Sequence, residues 1–303
     1  MINAKEAVLA AQKNKTIIPA FNVPYLPMAR PIIQAIVDED SVAMIQVARL
    51  EWEKFGSESL EAVAEEYKKY ANPRHTLLHL DHVPAIDEDL KEVDYLHYLR
   101  RGIQAGYQSL MVDASRMDLA GNIAVTKAAA ELAHGADVPC EAELGAVMGH
   151  ESGPAIPYEE MFKTRQGFTS LDEAAQFVSE TKCDWLSVAV GNIHGAIADG
   201  LKFQKKPEAR LDIEHIAALS DATKIPLVLH GGSGIGKEYI LQGISAGIAK
   251  INVGTETRQA YLRVLEEKPD DINAAQKAVY NCVRELIKNF LCISGTRGLL
   301  FGQ

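Results

Sequence analysis

The 303-residue chain lacks several things that would each define a function class. It has no surplus of positive charge: 31 Lys and Arg stand against 41 Asp and Glu, a net charge of −10. Nucleic acid and anionic membrane surfaces both require a basic face, so this balance disfavours them as partners. Cysteine is scarce, four residues (Cys140, Cys183, Cys282, Cys292) with no CxxC pair. A disulfide framework is not expected at this length, and buried reduced thiols are the better reading. Long apolar runs are missing too. The N-terminal stretch MINAKEAVLAAQKNK is too short and too interrupted for a signal peptide or anchor, and reads as a short amphipathic helix. The expected location is therefore the cytoplasm. Nor does a GxGxxG follow the first apolar segment, which argues against a doubly wound dinucleotide fold.

With 47% hydrophobic and 24% charged residues, the composition is that of a globular protein with a sizeable core. No low-complexity linker divides the chain, so one domain over 1–303 is expected. Eight short apolar runs recur: Thr16–Val23, Val42–Ala48, Thr76–His82, Ser109–Ser115, Pro139–Gly145, Trp185–Gly191, Pro226–Gly231 and Ala249–Thr255. Their near-continuous apolar character suits strands covered on both faces. Helical stretches lie between them, among them Ser57–Tyr70, Ala120–His134, Ser170–Thr181 and Ile235–Ala246, and a long mixed helix is expected over Asp271–Leu291. Eight strand–helix units predict an α/β fold, a (β/α)8 TIM barrel with an N-terminal helix and extra C-terminal helices.

In such a barrel, residues at strand C-termini converge on one mouth. Here those ends carry Asn22, Asp81, His82, Asp113, Glu143, His194, His230 and Asn252. His82, His194 and His230 close strands three, six and seven; three imidazoles suit zinc and leave a coordination position open. A single histidine is more often structural, and the shared rim is what reverses that weighting. Of the others, His75 precedes a strand, His97, His134 and His215 fall on helices where solvation is expected, and His79 reads as a hydrogen-bonded core residue. His150 lies in a loop and stays open. Asp81, beside His82, is a metal ligand, an orienter of one, or a general acid/base, and the residues alone leave all three standing. Glu143 and Asp113 hold a second cation or fix the histidines. Glu151 sits in the glycine-flanked GHESGP, where it is either a delivered carboxylate or a solvated one. The turn from His230 through Gly231, Gly232 and Ser233 to Gly234 opens a helix, and its free N–H groups suit a phosphate. Asn252, Gly254 and Thr255 follow strand eight, the second place where barrels bind phosphate. The positive field for an anionic ligand is thus expected from a metal and backbone dipoles, not from net charge.

These segments resemble the class II, metal-dependent ketose-bisphosphate aldolases, the fructose- and tagatose-bisphosphate aldolase family. PAFN (19–22), LHLDH (78–82), MVDAS (111–115), NIAVTK (122–127), EAELG (141–145), VGNIHG (190–195), LVLHGGSG (227–234) and KINVGTET (250–257) match in family order over almost the whole chain. The resemblance implies a single aldolase barrel binding one catalytic Zn2+ through His82, His194 and His230, with Asp113 and Glu143 as a secondary metal position. It implies Asp81 as the group that moves the proton at the aldehyde-derived hydroxyl, Glu151 as the group at the enediolate carbon, and Asn252 as a contact to the enediolate. Asn22, Gly195, Gly231, Gly232, Ser233, Gly254 and Thr255 would hold the dihydroxyacetone-phosphate half, often with Na+ or K+ nearby. A zinc-dependent, reversible cleavage of a phosphorylated ketose to dihydroxyacetone phosphate and an aldehyde follows, in a homodimer or homotetramer. The alternatives are a non-catalytic aldolase-like partner subunit, or another metal-dependent lyase or epimerase using enediolate chemistry. No lysine is expected to form a Schiff base.

Several positions depart from the family pattern. Val83 stands where glycine usually follows LDH, Ile197 where tyrosine is usual, and the segment after strand three is extended. Lys202 replaces the family's phosphate-facing lysine or belongs to a solvated run with Lys205 and Lys206. Ala48 and Arg49 stand where serine is frequent after strand two. Arg49 either reads an anionic distal group or is a surface arginine. The dihydroxyacetone-phosphate half of the site thus reads as retained and the aldehyde half as altered.

Overall fold

The computed structural model describes residues 3–145, 157–192 and 209–302. Eight strands, β1 (Ile18–Asn22), β2 (Ala43–Ala48), β3 (Thr76–Pro84), β4 (Ser109–Asp113), β5 (Cys140–Leu144), β6 (Trp185–Val188), β7 (Leu227–Leu229) and β8 (Ile248–Val253), close into a barrel in sequence order. Each neighbouring pair is parallel, including β1 with β8. The eight expected runs each overlap one strand, with β3 running two residues past its run and β8 starting one residue before its own, so the fold is the (β/α)8 barrel. The four helices expected between strands form as Leu60–Tyr70, Leu119–His134, Leu171–Thr181 and Lys237–Ala246. The C-terminal helix covers Ile272–Glu285 and loosens into a π-helical turn over Leu286–Phe290.

Local chemistry sets the helix starts. Ser59, Asp94, Asp118, Ser170, Asp212 and Asp271 each accept a backbone N–H of the following first turn. Each such cap is worth about 1 kcal/mol. Strand alternation then sorts the side chains. Ile45, Val47, Leu78, Leu80, Leu110, Val112, Ala142, Leu186 and Leu229 face outward into the layer beneath the helices. The alternate positions face inward. At the lower end they are apolar: Ile18, Ala20, Met44, Leu77, Trp185 and Val228. The N-terminal helix Ala4–Lys13 seals that end, packing Ala4, Ala7, Val8 and Ala11 against them. Toward the strand C-termini the inward positions become polar, which places the chemistry at one mouth. Among the described residues no helix is long and apolar enough to cross a membrane, and the four cysteines are free.

One histidine differs from expectation. His215, assigned to solvent because it lies on a helix, is buried with its Nε2 2.8 Å from the Thr169 carbonyl oxygen. Its helix Ile213–Thr223 turns that face inward, and the hydrogen bond satisfies the ring. His97 and His134 are exposed, and His79 is a buried residue bonded to the Ser109 hydroxyl.

Candidate active site

Three strand ends build the centre. β3 delivers Asp81 and His82, β7 leads into His230, and β8 brings Asn252. His82 has φ 33°, an unusual backbone for a residue other than glycine, and the β3–β4 register shifts between Leu80 and Val83. Without that bulge Asp81 and His82 would point to opposite faces of the strand. With it, ligand atoms of Asp81, His82 and His230 lie within 4.8 Å of one another, and the two imidazole rings stand 4.6 Å apart. Backbone strain of this kind persists where surrounding structure enforces it, commonly at functional sites.

Carboxylates surround the two rings. His82 Nδ1 donates to Asp113 Oδ2 at 3.0 Å, and Asp113 is itself fixed by the Ser115 hydroxyl and amide. His230 Nε2 donates to Glu141 Oε1 at 2.9 Å, while its Nδ1 lies 3.0 Å from Glu143 Oε2. Burial works against a charged ring, but the Asp81 charge and the Asp113 hydrogen bond lift His82 to about 10. A field that favours a proton at this point favours a metal cation as well. The donors fit a zinc-like ion: two imidazoles, each with its second nitrogen tied to a carboxylate in the manner of metal-ligating histidines. His82, Asp113 and Glu143 form a further cluster within 4.8 Å, where the second cation position was expected.

Asp81 is buried at 1% exposure and held on both oxygens. Asn252 Nδ2 donates to Oδ1 at 3.0 Å; Gln46 Nε2 and Asn22 Nδ2 donate to Oδ2 at 3.1 and 3.4 Å. Burial alone would raise its proton affinity, yet the positive charges of His82 and Lys250 hold it below the usual carboxylate range. A buried, ionised and immobilised carboxylate is suited to accept a proton from a ligand hydroxyl.

Beneath this layer lies a second that strand ends alone did not reveal. Lys250 is fully buried, with Nζ 2.9 Å from Glu141 Oε2 and donating to Asn252 Oδ1 at 2.7 Å. Trp185 Nε1 donates to Glu141 Oε2 at 2.6 Å. Lys250, Glu141 and His79 each sit two residues before Asn252, Glu143 and Asp81, on the same inward face. The period-two rhythm of the strands was the signal that marks them. Lys250 is thus the cationic half of a buried ion pair inside the barrel.

The remaining expected residues fall as follows. The turn Gly231, Gly232, Ser233 follows β7, and Gly231 has φ 64°, a conformation that favours glycine. Asn192 Nδ2 donates to the His230 carbonyl at 2.8 Å and so ties this turn to the end of β6. Gly254 and Thr255 open the helix Thr255–Glu267; a Cβ at Gly254 would lie 3.2 Å from Asn22 Oδ1. Arg49 starts the helix Arg49–Lys54, with Nη2 2.8 Å from Glu53 and Nη1 3.7 Å from Asp87, so two carboxylates already answer its charge. His194, Glu151, Gly195 and Lys202 lie outside the described residues, as do His150, Ile197, Lys205 and Lys206.

A parallel barrel whose mouth joins imidazoles, carboxylates and a glycine turn belongs to the class of (β/α)8 barrels with side chains suited to hold a cation at the C-terminal face. Comparison with known proteins narrows it. The family described as Fructose-bisphosphate aldolase class-II matches residues 2–298, and the chain belongs to that family. Among solved structures it is similar to the YdjI aldolase of Escherichia coli K12, at 30% identity over 95% of this chain and 96% of that one, TM-score 0.75. A candidate fructose-1,6-bisphosphate aldolase of Coccidioides immitis is 25% identical, over 99% and 98% of the two chains, TM-score 0.75. The fructose-bisphosphate aldolase of Campylobacter jejuni shares the fold at 17% identity, over 97% and 96%, TM-score 0.72.

Proposed function

We propose that this class II aldolase reversibly cleaves a phosphorylated ketose to dihydroxyacetone phosphate and an aldehyde, with Zn2+ as its resident ion. The observation that carries the reading is Asp81: a buried carboxylate, kept ionised, beside the His82–His230 pair. His82 and His230 would hold the ion together with His194. When bound, it supplies Lewis acidity that polarises the ketone and stabilises negative charge on the enediolate oxygens.

The chain's own residues do the rest. Asp81 takes the proton from the hydroxyl on the carbon beyond the scissile bond, and the electron pair of that O–H becomes the aldehyde carbonyl as the carbon–carbon bond breaks. Asn252, whose amide oxygen accepts from Lys250, donates its N–H to the developing enediolate. Glu151 returns a proton to the enediolate carbon. The glycine turn Gly231–Gly232–Ser233, with Gly195, Gly254 and Thr255, binds the phosphate through backbone N–H groups. Fructose 1,6-bisphosphate is the first substrate to try, tagatose 1,6-bisphosphate the second, then 1-phosphates with another distal end. A coupled triose-phosphate assay across this panel, with the protein as purified, stripped by chelator and reloaded with zinc, tests the reading. Cleavage lost on stripping and restored by zinc is the expected result. Equal cleavage by stripped protein rejects the metal role, and turnover of a panel member without triose phosphate release points to an epimerase instead.

A further inference from the structure

Glu51 has no place in the assignments above, yet it is a carboxylate at only 9% exposure close to the mouth. It occupies the third position of the short helix Arg49–Lys54, where a glutamate commonly reaches back to cap the helix start. Its Oε2 does accept the Ala48 amide at 2.9 Å. Capping alone does not account for its burial, because such residues ordinarily keep the carboxylate in water. The same oxygen also accepts Asn22 Nδ2 at 3.1 Å. That amide nitrogen is the one directed at Asp81 Oδ2, 3.4 Å away.

The orientation of Asn22 is over-determined around this contact. Gln46 Nε2 donates to Asn22 Oδ1 at 2.8 Å and to Asp81 Oδ2 at 3.1 Å, so the Asn22 oxygen is engaged and its NH2 must face the two carboxylates. Gly254 closes the other side, where even a methyl group would touch the Asn22 side chain. Glu51, Asn22, Gln46 and Asp81 thus form a closed frame joining β1, β2, β3 and the first turn after β2. Burial raises Glu51 to about 7, and the nearby Asp81 charge adds to that rise.

We propose that Glu51 is a positioning residue for the cleavage step: by holding the Asn22 amide it fixes the frame in which Asp81 meets the substrate hydroxyl. The proposal rests on the reading of Asp81 as the proton acceptor. Loss of the Glu51 acceptor frees one end of Asn22, and small displacements of a reacting group are costly. Glu51→Ala is expected to lower kcat for ketose-phosphate cleavage on the order of tenfold to a hundredfold, with KM changed by less than about threefold. Glu51→Gln retains an acceptor oxygen of the same reach and is expected to recover kcat to within about threefold of the parent. A merely structural glutamate would not give the third expected result, which is that Glu51→Ala lowers kcat no further when made in an Asn22→Ala background. Glu51→Asp keeps an acid in the first turn but is one methylene short of Asn22. It carries the same comparison should the alanine variant fold poorly, and its kcat is expected to fall at unchanged melting temperature. Losses that multiply in the double variant, or a full parental kcat in Glu51→Ala or Glu51→Asp, overturn the proposal while leaving the aldolase reading intact. A parent protein that releases no triose phosphate from any ketose phosphate overturns both.

Discussion

Replacing Lys250 with methionine is the most searching test of how the barrel floor supports the mouth. Methionine is close to lysine in length and apolar, so the change removes charge and hydrogen bonds with little loss of volume. Lys250 is fully buried, and its ammonium lies 2.9 and 3.3 Å from the two oxygens of Glu141 and 2.7 Å from Asn252 Oδ1. Among the described residues, its loss leaves Glu141 buried with the Trp185 and His230 hydrogen bonds and His79 Nε2 3.6 Å away. Breaking a buried pair by removing one partner costs about 3–5 kcal/mol, since the stranded charge keeps its desolvation penalty. Urea unfolding at neutral pH should therefore show Lys250→Met less stable by about 3–5 kcal/mol at an unchanged m-value. Adding Glu141→Gln removes the stranded charge, so the double variant is expected to be more stable than Lys250→Met alone, with a coupling energy of about 2 kcal/mol. A single-variant loss under about 1 kcal/mol, or a double-variant loss equal to the sum of the two singles, would refute the argument that this pair acts as a buried ionic unit.

Asp81→Asn keeps the shape but removes the proton acceptor, and is expected to reduce triose-phosphate release by at least about a hundredfold. Zinc content by atomic emission should stay near the parent's, and a variant with parental turnover would sink the assignment. Gly254→Ala places a methyl group 3.2 Å from Asn22 Oδ1 without a forbidden backbone angle. It should lower kcat while moving the melting temperature by only a few degrees; unaltered kcat would show that Asn22 has room to move. His79 is buried and neutral, its proton affinity pushed down to about 3 by burial and by the Lys250 charge. Between pH 6.5 and about 3 the unfolded chain binds a proton that the folded one refuses, so the parent loses about 1.4 kcal/mol of stability per pH unit on acidification from this group, and nothing above pH 6.5. Measured as the difference between parent and His79→Asn in urea, that slope should be absent from the variant; parallel pH profiles would show that His79 takes up its proton in the fold.

How much of this was legible beforehand follows from which physical rule each residue obeys. The strands were readable because both faces of a parallel barrel are covered, so Ile45 and Val47 on one side and Met44 on the other make one apolar run. The mouth was readable because polar residues end those runs. What strand ends conceal is depth. Glu141 and Lys250 lie a layer lower, inside segments whose apolar neighbours mask them, and only counting by twos from Glu143 and Asn252 brings them out. Glu51 was beyond reach for another reason. The short helix carrying it lacks a full turn of apolar periodicity, and its partner Asn22 is 29 residues away. The misread His215 shows the converse, since a polar residue on a helix stays buried when one hydrogen bond satisfies it.

Depth also changes the meaning of the acidic total. Among the described residues the inner mouth gathers Glu51, Asp81, Asp113, Glu141 and Glu143 around Lys250 and the imidazoles of His82 and His230. Such a cluster is repulsive unless positive charge sits within it, which is what raises His82 and His230 above their ordinary range against the cost of burial. The mouth therefore has the electrostatics of a cation site, in keeping with the ion proposed above. For the phosphate of the proposed substrate, the turn from Gly231 to Ser233 and the start of the helix at Thr255 would offer backbone N–H groups. The acidity of the chain thus bears on the proposed ion at the mouth, while the proposed phosphate end depends on backbone N–H groups rather than on net charge.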